Sequence, residues 1–305
     1  MKHIFGPVPS RRLGFSLGVD VVVPKTCTLD CVYCELGETT DRTVCRRPYV
    51  DVGVVLDELE ERLREHPDLD YITVSGSGEP TLNSDLGKLI EGIRRLSDKP
   101  IAVLTNGTLL SDPDVRHDLL EADVVAPSLD AVSDEVFRKV NRPHSSLDAT
   151  AVAAGIAQFS EEFPGALWLE TVIVEGMNDD SGEIALLAET IRKIRPDRMQ
   201  VNTVVRPPAV SCARGVDSRR LRAIAEQLAP GAEVIAPSSK ARQSSVPSDA
   251  SAVAVTMAAR RPVTAGDVAR TIGISQAAAA KLLNELVERG SLSVVRHGQT
   301  LYYRK

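Results

Sequence analysis

Six short apolar runs, separated by stretches of helical period, constrain the fold of this chain more than any other feature. They occupy residues 18–24, 71–77, 101–105, 124–128, 167–174 and 199–205, and are rich in Val and Ile. Runs of four to eight residues that are apolar almost throughout mark strands buried on both faces, as in a parallel sheet. Between them lie amphipathic stretches. In the first, Val52, Leu56, Leu59 and Leu63 fall on one helical face. Residues 86–96 and 184–194 read the same way. Strand and helix in alternation imply right-handed βαβ units, hence an α/β fold. Periodicity does not choose between a barrel and an open, doubly wound sheet. In either, reacting groups belong at the C-terminal ends of the strands.

With 305 residues the chain has room for one large domain and a small one. The pattern breaks at residues 236–249, a Ser/Pro-rich stretch without periodicity that reads as a linker between domains at 1–235 and 250–305. Charge divides at the same place. Residues 250–305 hold eight Lys/Arg against three Asp/Glu, and the remainder 28 against 39, so a basic piece follows an acidic body. Within 250–305 a helix is expected over 250–259. A short helix with a Thr264 cap and a Gly273 stop follows, then a longer one from Ser275 to Gly290, then a hairpin around residues 297–299. This order resembles a winged helix-turn-helix domain. Its second helix is sparse in groups able to read bases, offering only Gln276 and Lys281 beyond Ser275. The hairpin side, with Arg296, His297, Gln299, Arg304 and Lys305, is basic enough to meet phosphates. Nucleic acid and protein are both open as partners of residues 250–305.

No apolar run approaches the ~18 residues that a membrane span needs. The opening Met-Lys-His-Ile-Phe-Gly-Pro shows no signal-peptide pattern, so the expected location is cytoplasmic, with no membrane partner. In a reducing cytosol clustered cysteines are more often ligands than disulfides. Three of the five, Cys27, Cys31 and Cys34, follow the first expected strand at spacing C-x3-C-x2-C. Thiolates so spaced on one loop can converge on an iron–sulfur cube and leave one iron open. A structural zinc with Cys45 as fourth ligand is the other chemistry available, although a second C-x2-C knuckle is missing. Cys45 and Cys212 otherwise read as packed free thiols.

C-x3-C-x2-C with an aromatic residue, Tyr33, before the last Cys resembles the signature of the radical S-adenosylmethionine (SAM) superfamily. Ser75-Gly-Ser-Gly-Glu-Pro80 looks like that superfamily's Gly-Gly-Glu-Pro motif, with Ser77 in place of its first Gly. Thr105-Asn106-Gly107 and Ser128-Leu129-Asp130 close the third and fourth strands. The resemblance implies a partial (β/α)6 TIM-like barrel. It implies a [4Fe-4S] cluster on Cys27, Cys31 and Cys34, SAM on the open iron, and an external one-electron reductant of flavodoxin or ferredoxin type. Reductive cleavage of SAM would yield a 5′-deoxyadenosyl radical that takes hydrogen from a substrate. For SAM it implies Tyr33 beside the adenine, Gly78 backbone at the amino group, and Glu79 and Pro80 fixing that turn. Thr105 and Ser128 are implied at the carboxylate or ribose, with Asn106 and Asp130 as further candidates. Taken as residues alone, Thr-Asn-Gly is a common turn, and Ser128 or Asp130 can cap a helix.

The opening 5–14 and the run 27–37 resemble a group of Fe–S oxidoreductases related to the tRNA wyosine synthases. No Cys precedes Cys27, which argues against a second cluster and against wyosine synthesis itself. Glu170, Thr171, Asn202, Thr203 and Arg206 are polar candidates near the strand ends, as are Asn141-Arg142-Pro143-His144 after the fourth strand and Ser10-Arg11-Arg12 before the first, while His144 has the standing of a lone histidine. Two functions besides a zinc-stabilised barrel fit this chain. One is an enzyme that cleaves SAM; the alternative is a SAM- or redox-sensing regulator that binds nucleic acid through residues 250–305.

Overall fold

The computed structural model describes residues 3–10, 12–65, 68–235 and 250–305. The expected linker, 236–249, and Arg11 lie outside the described residues. The strands are β1 (Ile4–Ser10), β2 (Gly14–Val19), β3 (Thr26–Cys27), β4 (Asp41–Arg42), β5 (Tyr71–Val74), β6 (Ile101–Thr105), β7 (Val124–Pro127), β8 (Ala166–Ile173), β9 (Arg198–Thr203), β10 (Glu233–Val234), β11 (Ser293–His297) and β12 (Thr300–Arg304). The helices are α1 (Val52–Glu65), α2 (Leu86–Leu96), α3 (Pro113–Asp118), α4 (Asp134–Val140), α5 (Ala149–Glu162), α6 (Ser181–Ile194), α7 (Ser218–Leu228), α8 (Ala250–Arg260), α9 (Ala265–Ile272) and α10 (Gln276–Glu288).

Eight strands form one sheet in the order β1-β2-β5-β6-β7-β8-β9-β10, parallel except for β1. Each of the six apolar runs supplies one parallel strand. The first is displaced: β2 ends at Val19, where its partner β5 ends at Val74, and residues 20–24 continue as a loop. Sequence periodicity did not anticipate β1. Its Pro7 and Pro9 cannot donate to a ladder, which suits the antiparallel edge position it takes. Leu17, Val19, Ile72, Val74, Ile101, Val103, Leu169 and Val201 turn one face of the sheet into a continuous core with the buried sides of α1, α2, α5, α6 and α7. The other face is shallower. It holds Leu13, Ala102, Val124, Ala126 and Trp168, and beside them the polar Ser16, Thr73, Gln200 and Asn202. Because the strands run parallel, their C-terminal ends share one edge, where the loops carrying the motifs collect.

Residues 250–305 build a separate core from Ala254, Met257, Val268, Ile272, Leu283, Leu286 and Tyr303. The expected caps are in place. Thr264 and Asp267 form a reciprocal capping box, Gly273 ends α9 at φ 79°, and Ser275 caps α10. β11 and β12 pair as the hairpin. Polar contacts among the described residues dock this unit on the body. Arg206 reaches Glu35 and Asp267 at 3.3 Å each, Arg260 pairs with Asp20, and the Tyr302 hydroxyl donates to the Val205 carbonyl at 2.6 Å. Arg260 also lies 4.2 Å over the Phe5 ring.

Candidate functional site

Cys27, Cys31 and Cys34 sit on a loop at the C-terminal edge of the sheet, all three half-buried. A second segment clamps the loop from outside. Asp30 N–H donates to the Asn141 carbonyl, Val32 N–H to Val140, and His144 N–H to Thr28. Leu29 and Pro143 add an isolated bridge. The side-chain amides of two asparagines reach the sulfurs. Asn106 Nδ2 lies 3.5 Å from Cys27 Sγ, and Asn141 Nδ2 lies 3.5 Å from Cys31 Sγ.

The thiols are desolvated. Burial, then the Glu79 carboxylate, pushes Cys27 up to about 12. Burial, then Asp130, raises Cys31 well above the ordinary thiol value, and burial raises Cys34. Burial thus favours the thiol over the thiolate at all three, and a metal must displace those protons to bind. Among the described residues no three His, Cys, Asp or Glu side chains converge on a point for a single metal ion. A four-iron cube makes no such demand, since each thiolate takes a different iron. The donor set and the two amide N–H groups on sulfur fit that group. Cys45 is exposed, with its Sγ toward the Arg46 carbonyl, and makes no fourth member.

Beside the loop lies the Gly-Glu-Pro turn. Gly78 packs so tightly on β3 that a Cβ there would fall 2.0 Å from the Thr26 carbonyl oxygen. Only glycine fits this close approach of two backbones. Glu79 is a buried hub. Its N–H donates to Thr26, and its carboxylate accepts Thr81 N–H at 3.0 Å, the Thr81 hydroxyl at 2.6 Å, the Thr105 hydroxyl at 2.6 Å and Asn106 N–H at 2.7 Å. Burial still raises it above the usual carboxylate range against those bonds. Pro80 is buried at the first position of a short 3-10 turn. Asn106 is held in turn by Thr28 and Thr108. Tyr33 donates to Asp130, which also accepts Asn141 Nδ2 at 2.7 Å and Val172 N–H at 2.8 Å. Burial lifts Asp130 to about 6, with those three bonds opposing. Thus one side chain at a strand end joins the cysteine loop, its clamp and β8.

Residues 21–188, more than half of the chain, match the family model described as the radical SAM superfamily. The chain belongs to that superfamily. A protein of Brachyspira hyodysenteriae named GTPase Obg is 39% identical over 72% of this chain and 32% of its own length. A UPF0026 protein of Methanocaldococcus jannaschii is 37% identical over 68% of this chain and 65% of its own. The chain thus spans from about a third to just under two-thirds of these two relatives. Among solved structures, a radical SAM methyltransferase from Sphaerobacter thermophilus superposes with TM-score 0.53 at 18% identity, over 72% of this chain and 64% of that one. At that identity the likeness is one of fold.

The other expected polar residues make contacts of their own. The Thr105 hydroxyl is committed to Glu79, so it braces the turn. Asp130 caps no helix. α4 instead receives Glu183, which accepts Val132 N–H, Ser133 N–H and the Ser133 hydroxyl. Ser128 is half-buried opposite Glu170 in an isolated bridge, and its hydroxyl makes no hydrogen bond among the described residues. Glu170 pairs with Arg12 and lies 3.5 Å from Asn202 Nδ2. Thr171 and Thr203 spend their hydroxyls on the Leu129 and Ile173 carbonyls. Arg206 is an interdomain tie, the His144 ring hydrogen-bonds Ser146, and Cys45 and Cys212 are exposed where packed thiols were expected.

Asn141 is a polar candidate without a motif, and no spacing rule points from it to Cys31. One residue escaped sequence reasoning. Asp20 follows β2, is 2% exposed, and accepts Ser77 N–H and the Ser77 hydroxyl while pairing with Arg260. An acidic residue inside the apolar run 18–24 was its one signal.

Proposed function

We propose that Cys27, Cys31 and Cys34 hold a [4Fe-4S] cluster by three of its irons, and that the protein cleaves SAM there to start hydrogen abstraction from a substrate. The observation that carries this is the pair of asparagine amides aimed at two cysteine sulfurs within a three-thiol loop. Once bound, the cluster supplies the single electron that splits the SAM sulfonium into methionine and a 5′-deoxyadenosyl radical. The chain's part is to hold and to tune. Asn106 and Asn141 place N–H dipoles on sulfur, which favours the reduced, more negative state. Glu79, Pro80 and Thr105 fix the turn so that Gly78 backbone can face the SAM amino group. Tyr33, held by Asp130, offers its ring to the adenine. Ser128 has a free hydroxyl for the carboxylate or ribose.

The same proposal takes residues 1–235 as a partial (β/α)6 barrel and 250–305 as a winged helix-turn-helix module, joined at 236–249. The separate core of the second unit supports the division. Electrons would come from a flavodoxin or ferredoxin type of donor in the cytoplasm. No helix among the described residues is long and apolar enough to cross a membrane. Superfamily membership favours the enzyme over a sensing regulator.

Anaerobic reconstitution followed by iron and sulfide analysis tests the assignment. Four irons and four sulfides per chain, with dithionite-dependent release of 5′-deoxyadenosine from SAM, are the expected result. Stoichiometric zinc in place of iron, with no deoxyadenosine, would overturn it.

A further inference from the structure

Between the cysteine loop and the C-terminal unit runs a cleft of about 660 Å³. One wall is Lys25, Glu35, Leu36 and Gly37, which flank the three cysteines on both sides, and Ser77 from the motif turn. The opposite wall is the end of α8 with Arg260, Arg261 and Pro262, and the last strand with Arg304 and Lys305. The volume suits a ligand of nucleotide size, since small-molecule sites run from ~300 to ~1,000 Å³.

The charge of this cleft is one-sided. Five basic side chains line it against one carboxylate, Glu35. That carboxylate is already held by Arg206, and Arg260 is held by Asp20, so both belong to the docking contacts. Arg261 acts on Asp267 of α9, which leaves Lys25, Arg304 and Lys305 to set the field. Lys25 is fixed at the mouth. Its backbone adopts φ 64°, tied by its N–H to Ser77 and by its carbonyl to Thr40 and Asp41. Its ammonium sits where a methyl on Gly37 would be 3.2 Å away. Lys25 and Arg304 make no ion pair among the described residues. Cations gathered in a walled cleft focus potential on an anion.

We propose that this cleft binds a phosphate group of the substrate, held between Lys25 on the cysteine loop and Arg304 on the C-terminal unit. The ligand is a phosphate ester of nucleotide size, so the C-terminal unit completes the substrate site instead of acting as a remote tether. This deepens the proposed function by naming a substrate class, and it rests on that reading only for what happens after binding. The phosphate contact itself needs no iron.

The test is calorimetric titration of inorganic pyrophosphate into the full-length chain, iron-free and iron-loaded. One-to-one binding is expected in both forms, weakening as salt rises. Lys25→Gln and Arg304→Gln should each weaken it about tenfold or more, as loss of a charged hydrogen bond does. Arg289→Gln, at the exposed end of α10, should leave it unchanged. Uridine monophosphate and a short oligouridylate then compete separately. Competition by the monomer identifies a free nucleotide as the source, and competition by the oligomer alone a nucleic-acid phosphate; either places phosphate in the cleft. No binding, or binding equal in wild type and both cleft variants, would overturn the proposal. Either result is independent of whether the cluster forms.

Discussion

Replacing Gly78 with alanine tests how the motif turn is held. The added methyl would lie 2.0 Å from the Thr26 carbonyl oxygen and 3.0 Å from its carbon, and 2.9 Å from Val22 Cγ2. A carbon normally approaches a carbonyl oxygen no closer than about 3.3 Å, so the turn and β3 must separate by more than an ångström. The obstacle is backbone and cannot swing away. Two hydrogen bonds span this seam, Glu79 N–H to Thr26 at 3.0 Å and Lys25 N–H to Ser77 at 2.6 Å. Losing both costs about 2 kcal/mol, and forcing the methyl in adds at least another 1 kcal/mol. A total of about 3 kcal/mol lowers the melting temperature by about 6–12 °C for a body of this size. Since Thr26 precedes Cys27, iron retention should fall as well. Gly53→Ala, whose methyl meets only an Asp51 side-chain oxygen at 3.2 Å, is the control. Circular-dichroism melts with iron analysis read both effects. A Gly78→Ala protein that melts within 2 °C of wild type, the smallest shift one kcal/mol produces (roughly 2–4 °C), would refute the close-approach argument.

Other perturbations follow from the same contacts. Asn141→Asp sets a carboxylate against Asp130 and Cys31, and should lower iron content after reconstitution far more than Asn141→Ser; equal retention would remove Asn141 from the cysteine shell. Arg206→Met removes the Arg partner of Glu35 and leaves Asp267 to Arg270 and the Thr264 N–H, and should cost about 2 kcal/mol of docking, seen as faster hydrogen exchange in α9. Burial alone would raise Asp267, but Arg206 and the Thr264 N–H outweigh it and hold the carboxyl below its ordinary 3.8. A depressed folded value makes its stabilisation complete above about pH 4 and lost as pH falls through the lower value, so α9 should keep its protection at pH 5 and lose it in stronger acid. Cys45→Ser and Cys212→Ser should leave iron content intact, whereas serine at 27, 31 or 34 should remove it.

How much the sequence revealed depended on whether a residue acts through periodicity or through a long-range partner. The six parallel strands and the helices over 52–65, 86–96 and 181–194 follow from apolar period, because burial against a sheet selects side chains at fixed intervals. The caps at Thr264 and Ser275 were local chemistry and equally visible. β1 was hidden, since two prolines and a glycine disguise an edge strand whose ladder bonds are few. At the site, Glu79 and Asn106 came with motifs, but their actual partners did not. That Thr105 serves Glu79, and that Asn141 crosses 110 residues to reach Cys31, depends on how loops meet above the sheet. Arg206 read as a candidate anion binder, and it is a tie between two units because Asp267 folds back onto it from α9.

Electron paramagnetic resonance on the anaerobically reconstituted, dithionite-reduced protein, with and without SAM, bears most directly on the central claim. A reduced four-iron signal whose shape changes when SAM is added is the expected result, because one iron is left open by three cysteines. A signal indifferent to SAM, or the absence of any cluster signal from a protein with all three thiols intact, would contradict it.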